Sequence, residues 1–264
     1  MSEPLVLVTH QGPVRRLTLN RPQALNSFTG ALHRELRTAL DAAAADSSVR
    51  CLVITGSGRG FCAGQDLNDP DMAAGPGGAP DVGAVIERLY KPLALAMRAL
   101  PMPTIAAVNG VAAGAGANFA LLCDFVVATR SASFIQAFSK IGLIPDCGGS
   151  WLLPRLVGRA RALGLAMTGD KLPAEEAERI GLIWRAVDDA GFEDAVQTLA
   201  GRLATMPTQA LAQTRRLLDA AMPMSLAEAL TLEGQVQGQL GREGDFAEGV
   251  AAFQQKRSPR FSDR

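Results

Sequence analysis

Apolar and polar residues alternate from Val14 to Leu19, which is the signature of a strand lying on a core, and Asn20-Arg21-Pro22 ends the run. The period then changes: Leu32, Leu36, Ala39 and Leu40 recur on one face, predicting an amphipathic helix from about Thr29 to Ala45. Cys51-Leu52-Val53-Ile54-Thr55 is a short continuous apolar run that stops at Gly56-Ser57-Gly58, a pattern suited to a strand buried on both faces. The plan recurs with a helix from about Val85 to Leu100, a strand from Thr104 to Val108, a helix opening at Gly114 and a strand from Phe125 to Ala128. Strands alternating with helices predict an α/β core of repeated units. Residues 68–83, rich in Pro, Gly and Asp, are too many for a simple connection, and loops of this length often act as lids. From about Phe192 the pattern is wholly helical, punctuated by Gly201, Pro207, Pro223 and Gly241 to Gly244. These positions divide the chain into a core over 1–200 and a helical C-terminal region over 201–264. The last helices carry more apolar residues than short helices bury alone, which points to an oligomer.

Composition narrows the classes of partner. The 264 residues are 48% hydrophobic, with 26 basic and 26 acidic side chains and no block of like charge, so nothing suggests nucleic acid or an anionic membrane. The N-terminus lacks a basic region followed by an apolar run, so no secretory signal is expected. The least polar stretch, Thr104 to Cys123, is interrupted by Asn109, Asn118 and glycines and reads as buried core rather than a membrane span. Cys51, Cys62, Cys123 and Cys147 show no zinc-type spacing and lie far from His10 and His33, so free thiols in a reducing cytoplasm and no metal are expected.

Chemistry concentrates in three places. Asp146 is a carboxylate in the turn Gly142-Leu143-Ile144-Pro145-Asp146-Cys147-Gly148-Gly149, among stretches almost free of charge. Upstream, Asn109-Gly110-Val111-Ala112-Ala113-Gly114-Ala115-Gly116-Ala117-Asn118 carries a strand end through small residues into an apolar helix. The first N–H groups of such a helix lack internal partners and lie at the positive end of its dipole. Phe61-Cys62-Ala63-Gly64-Gln65-Asp66-Leu67 follows the buried strand and can bring a further N–H from a second loop. Strand ends are where α/β folds usually bind ligands. Each segment alone also has a plainer reading: tight helix packing, an ordinary turn, and an Asp146 that caps the following helix.

In this order and spacing the segments resemble the crotonase, or enoyl-CoA hydratase/isomerase, superfamily. The resemblance rests on Leu19-Asn20-Arg21-Pro22-Gln23-Ala24-Leu25-Asn26-Ser27, Phe61 to Leu67, Pro103 to Gly110, Cys123-Asp124, Gly142 to Asp146 with Gly148-Gly149, and the closing Ala252-Phe253-Gln254-Gln255-Lys256-Arg257. It implies an α/β spiral of repeated ββα units with a C-terminal helical trimerisation region, a homotrimer or dimer of trimers, and an acyl-CoA thioester as substrate. CoA would enter as part of that substrate, with no separate cofactor. By position, the two oxyanion-hole N–H groups fall on Gln65 and Ala115. Ala63, Gly64, Asp66 and Leu67 would line the path of the CoA adenine and pantetheine, and Lys256 would meet a CoA phosphate.

The departures from the family pattern point to the reaction. At the positions of the two hydratase glutamates stand Asn118 and Phe138, neither of which can act as a carboxylate base, so Asp146 is left to move the proton. Its position matches the aspartate of some superfamily isomerases and the nucleophilic aspartate of chlorobenzoyl-CoA dehalogenases, whose surrounding aromatic and histidine residues are not evident here. The expectation is an acyl-CoA isomerase in which Gln65 and Ala115 stabilise an enolate, each donor worth roughly 3 kcal/mol in the transition state. Phe138, Ile141, Leu143, Ile144 and Trp151 would raise the Asp146 pKa and exclude water, and Asn118 would orient substrate or a water. The run from Phe138 to Arg155 is most similar to superfamily members that expand a ring epoxide carried on a CoA thioester. The rival readings are a Δ3,Δ2-enoyl-CoA isomerase and a non-catalytic acyl-CoA-binding scaffold.

Overall fold

The computed structural model describes residues 3–73, 78 and 80–264. Strands β1 (Val6–Gln11) and β2 (Val14–Leu19) form an antiparallel hairpin, turned by Gly12 at φ +57°. Helix α1 (Gly30–Ala45) follows, with the Thr29 side chain accepting from the Leu32 N–H at 3.1 Å as its N-cap. Three times the chain then places one strand in each of two sheets before turning into a helix. The first unit is β3 (Cys51–Gly56), β4 (Gly60–Cys62) and a continuous helical stretch made of α2 (Val82–Val85), a wider π-helical turn (Ile86–Tyr90) and α3 (Lys91–Ala99). The second is β5 (Thr104–Val108), β6 (Val111–Ala113) and α4 (Ala115–Leu121). The third is β7 (Phe125–Thr129), β8 (Ser133–Ile135) and α5 (Gly149–Thr168). Then come β9 (Lys171–Pro173), α6 (Ala174–Arg179) and β10 (Arg185–Val187).

The larger sheet has the order β1-β2-β3-β5-β7-β10 and the smaller one β4-β6-β8-β9. Apart from β1 in the first and β9 in the second, neighbouring strands run parallel. Alternate strands feeding alternate sheets produce the expected spiral of ββα units. The small sheet comes from three-residue strands, too short to show a period in the sequence.

The continuous apolar run in β3 is explained by burial on both faces. Leu52 and Ile54 join the main core with Leu17, Leu19, Leu36 and Phe119, while Cys51 and Val53 face the other way. That second layer is completed by Phe192, Val196, Ala200 and Leu203 of α7 (Phe192–Ala204). The expected division at residue 200 therefore falls inside a helix whose single apolar face packs on the sheet, and α7 is part of the core. Beyond it lie α8 (Thr208–Ala221), α9 (Leu226–Leu240) and α10 (Gly244–Gln254). Helix α8 is tied down through Arg215, which donates to Asp124 at 2.7 Å and to the carbonyls of Leu100 and Met102. Asp124 also accepts from the N–H and hydroxyl of Thr104 at 2.8 and 3.0 Å. Helix α9 has no buried residue and α10 has only Ala252. Among the described residues no helix is long and apolar enough to cross a membrane.

Candidate active site

β4 and β6 are parallel neighbours, so the loops leaving them arrive side by side. Gly64, at φ +92°, permits the closest approach, since a Cβ there would lie 2.9 Å from the Ala113 carbonyl oxygen. Gly116, within α4, allows the same close approach from the other side, since a Cβ there would meet the Cys62 carbonyl oxygen at 2.3 Å. The Phe28 N–H donates to the Gly64 carbonyl at 2.7 Å, and the Asp66 N–H donates to the Phe28 carbonyl at 2.9 Å. The intervening N–H of Gln65 has no acceptor among the described residues. Across the junction, Gly114 is the N-cap of α4 and donates to the Ile135 carbonyl at 2.8 Å. The N–H of Ala115, first in the helix, likewise has no acceptor among the described residues. Both residues line one cavity of about 250 Å³.

Asp146 lies on the wall of the same cavity. Its Oδ1 is shielded from water and has no hydrogen-bond partner, and burial pushes its pKa up to about 6. The capping role open to it in the sequence is not the one observed. Gly148, at φ +83°, is the N-cap of α5, and no side chain caps that helix. Cys147 also sits in the left-handed region, at φ +48°, so the turn after Asp146 is held in a strained conformation. Two N–H groups without acceptors among the described residues and a carboxylate with one unpaired oxygen thus border one largely apolar cavity, with Lys140 also on its wall. Such an arrangement can stabilise an oxyanion while a proton moves.

The sequence profile of the enoyl-CoA hydratase/isomerase family matches residues 9–264. The chain belongs to that family. It is 52% identical to the 1,2-epoxyphenylacetyl-CoA isomerase of Escherichia coli K12, over 95% of each chain. It is 47% identical to a probable enoyl-CoA hydratase of Rhodobacter capsulatus over 94% of each, and 33% identical to the trans-2-decenoyl-[acyl-carrier-protein] isomerase of Streptococcus mutans over 98% of each. Among solved structures, a putative enoyl-CoA hydratase/isomerase of Mycobacterium abscessus superposes with a TM-score of 0.91 at 34% identity, covering 98% of this chain and 100% of that one. A putative enoyl-CoA hydratase of Streptomyces coelicolor gives 0.89 at 41%, covering 98% and 94%.

In this member of the enoyl-CoA hydratase/isomerase family, Ala63, Gly64, Leu67 and Phe138 line the cavity with Gln65, Ala115 and Asp146. Three other expected contacts lie elsewhere. Asn118 is fully buried off the cavity wall; its Nδ2 donates to the Asp146 carbonyl at 2.9 Å and its Oδ1 accepts from Gln136 at 2.9 Å. Both ends of the amide are engaged by protein, and its Nδ2 ties α4 to the Asp146 turn. Asp66 is spent on Arg21, 2.9 Å away, which lowers its pKa, and it does not line the cavity. Lys256 is exposed beyond α10 and is not part of the cavity wall. Of the apolar residues expected around Asp146, Phe138, Ile141 and Leu143 are there. Ile144 is 80% exposed, and Trp151, 39% exposed, lies under the Arg155 guanidinium, facing a different groove.

Met72, Val82, Val85, Ile86 and Tyr90 also line the cavity. Sequence reasoning left these out because apolar residues at helical spacing read as ordinary core. Part of the lid expected over 68–83, residues 74–77 and 79, lies outside the described residues. In the described part, Asp69 accepts from the Asp71 N–H at 2.9 Å and from the Gly30 N–H at 2.6 Å, tying the loop to the start of α1.

Proposed function

We propose that the protein is an acyl-CoA isomerase with Asp146 as its lone proton carrier. The observation that carries this reading is that, among the described residues lining the cavity, Asp146 is the single carboxylate, facing a wall that also holds two unpaired N–H groups. Hydration requires one group to activate water and usually another to manage the proton on carbon. Here Asn118 is locked into the scaffold and Phe138 is apolar, so the site suits a reaction in which one base removes a proton and returns it.

The thioester oxygen sits between the Gln65 and Ala115 N–H groups, which stabilise the charge that develops when the carbon beside the carbonyl loses its proton. Asp146 takes that proton and returns it further along the conjugated system as the double bond moves. In a ring epoxide the ring carbon–carbon bond shared with the epoxide also opens, its electrons rearranging into the new double bonds, so substrate and product are isomers in either case. The favoured substrate is 2-(1,2-epoxy-1,2-dihydrophenyl)acetyl-CoA, with oxepin-CoA as product, in phenylacetate catabolism. Support comes from the 52% identical relative and from the aromatic and apolar lining. A Δ3,Δ2-enoyl-CoA isomerase using the same base is the second reading, favoured by the likeness to the decenoyl-thioester isomerase. In either case CoA is part of the substrate, no further cofactor is assigned, and the location is cytoplasmic. The exposed apolar residues of α9 and α10 are assigned to contacts between copies, in a homotrimer or dimer of trimers.

The test is to incubate the pure protein with the epoxide made enzymatically from phenylacetyl-CoA, and separately with a 3-enoyl-CoA, and to follow products by chromatography and mass. Formation of oxepin-CoA is expected. Conversion of the 3-enoyl thioester alone would move the assignment to the second reading. No turnover of either with tight CoA binding would leave a non-catalytic acyl-CoA-binding scaffold.

A further inference from the structure

Tyr90 is the chain's only tyrosine, and the chemistry given to Asp146 makes no use of it. It ends the π-helical turn, is 2% exposed, and borders the cavity. Local π-helical turns are often found at functional sites. Its hydroxyl donates to Gln65 Oε1 at 2.6 Å, while Gln65 Nε2 donates to the Asp66 carbonyl at 3.1 Å. The Gln65 side chain is therefore held at both its polar atoms. Burial, and after it the negative charge of Asp146, raises the Tyr90 pKa, so the hydroxyl stays a neutral donor.

The ring of Tyr90 is fixed in turn. His33 lies edge-on to it with centroids 4.4 Å apart and stacks on Phe28 at 4.8 Å. Neither nitrogen of His33 has a hydrogen-bond partner, and burial pushes its pKa down to about 4, so it acts through its shape as a neutral ring. Phe28 is the residue whose backbone clamps Gly64 and Asp66. The side-chain clamp and the backbone clamp on Gln65 thus share one aromatic cluster.

We infer that Tyr90 is a positioning residue: by fixing the Gln65 side chain, its hydroxyl holds the Gln65 N–H where the thioester oxygen gains charge. This rests on the isomerase reading for the role of that N–H. A donor contributes in the transition state only if it is already in place, and small displacements of a site group cost large factors in rate. Without the hydroxyl, Gln65 Oε1 loses its partner at the cavity wall and the loop loses one of its restraints.

The test uses Tyr90→Phe, which keeps the ring, Gln65→Met, which removes the acceptor but keeps the backbone N–H, and the double variant. Each single change should lower kcat about tenfold with KM within about twofold. The apparent pKa of the kcat profile should stay where it is, because Asp146 is untouched. The double variant should be no slower than either single one, since both remove the same bond. As a measure independent of turnover, the infrared carbonyl band of bound phenylacetyl-CoA, labelled with carbon-13 at the thioester, should be displaced less to low frequency in the variants than in the wild type. Unchanged kcat in Tyr90→Phe, single effects that multiply in the double variant, or a carbonyl band identical to the wild type would overturn the inference. A wild type that turns over neither substrate would sink the isomerase reading, while the carbonyl band would still decide the role of Tyr90. Should Tyr90→Phe melt early, Gln65→Met puts the same hydrogen bond to the test without altering the aromatic cluster.

Discussion

Asp146 carries a conflict between function and stability that can be measured. Burial raises its pKa from the ordinary 3.8 to about 6. As a base it must be ionised, so kcat should rise through about pH 6 and level off above it. For stability the sign is opposite. A carboxyl whose folded pKa exceeds its unfolded value favours the fold while protonated, and this contribution is lost as pH climbs from about 4 through about 6. Asp146→Asn should therefore lower kcat by about a thousandfold. It should also unfold at higher denaturant than the wild type at pH 8, by an amount of order 2–3 kcal/mol, with the difference vanishing near pH 4. Full activity in the variant would remove Asp146 as the base; equal stability at pH 8 would show that the carboxylate is better solvated than its burial indicates. The residue could be picked out in the sequence because a charge in an apolar turn is conspicuous. Tyr90 could not, because nothing in a helical pattern distinguishes an aromatic that fills a core from one whose hydroxyl reaches across to a loop. Asn118 was legible in place but not in role, since only the fold shows that its amide points at the Asp146 backbone.

At the scale of elements, the long strands and helices followed from periodicity because each has one dominant burial pattern. β2, β3, β5 and α1 begin and end within a residue or so of where the apolar spacing and the flanking Pro, Gly or Thr place them. The three-residue strands of the small sheet were not legible, although they set the loops of Gln65 and Ala115 side by side. Their positions depend on pairing with strands far away in sequence. The same holds for the link between α8 and the sheet, where Cys123-Asp124 entered as a motif without a stated role. Asp124 is where Arg215 and Thr104 meet, and Arg215 is itself buried and also serves two backbone carbonyls. Removing one partner of a buried pair leaves the other charge uncompensated, so Asp124→Ala should destabilise by about 3–5 kcal/mol. Replacing Asp124 and Arg215 together with apolar residues should cost less than Asp124→Ala alone. Denaturant midpoints for the two variants check this; an equal or larger loss in the double variant would show that the carbonyl contacts of Arg215, not its charge pairing, hold α8.

For the whole molecule, the last helices decide whether one chain suffices. Leu226 is 76% exposed, Leu230 54%, Phe246 59% and Phe253 86%, while α9 buries none of its residues. A helix that rests on α8 through a face only partly buried gains little tertiary packing within its own chain, and helices of this length are marginal in water by themselves. Covering a large apolar side chain is worth about 1.5–3 kcal/mol, so four of them offset much of an association cost of about 4–15 kcal/mol. The protein should therefore scatter light as a trimer or a multiple of it at micromolar concentration. Phe253→Glu with Leu226→Glu, which puts charges where an apolar partner face would lie, should shift it toward smaller species. Asp146 and the N–H groups of Gln65 and Ala115 are brought together within one copy of the chain. The smaller species should consequently keep the carboxylate titration near pH 6 in whatever activity remains. A wild type that is monomeric across the same concentrations would mean that the apolar surface of α9 and α10 is covered by something other than a second copy of this chain.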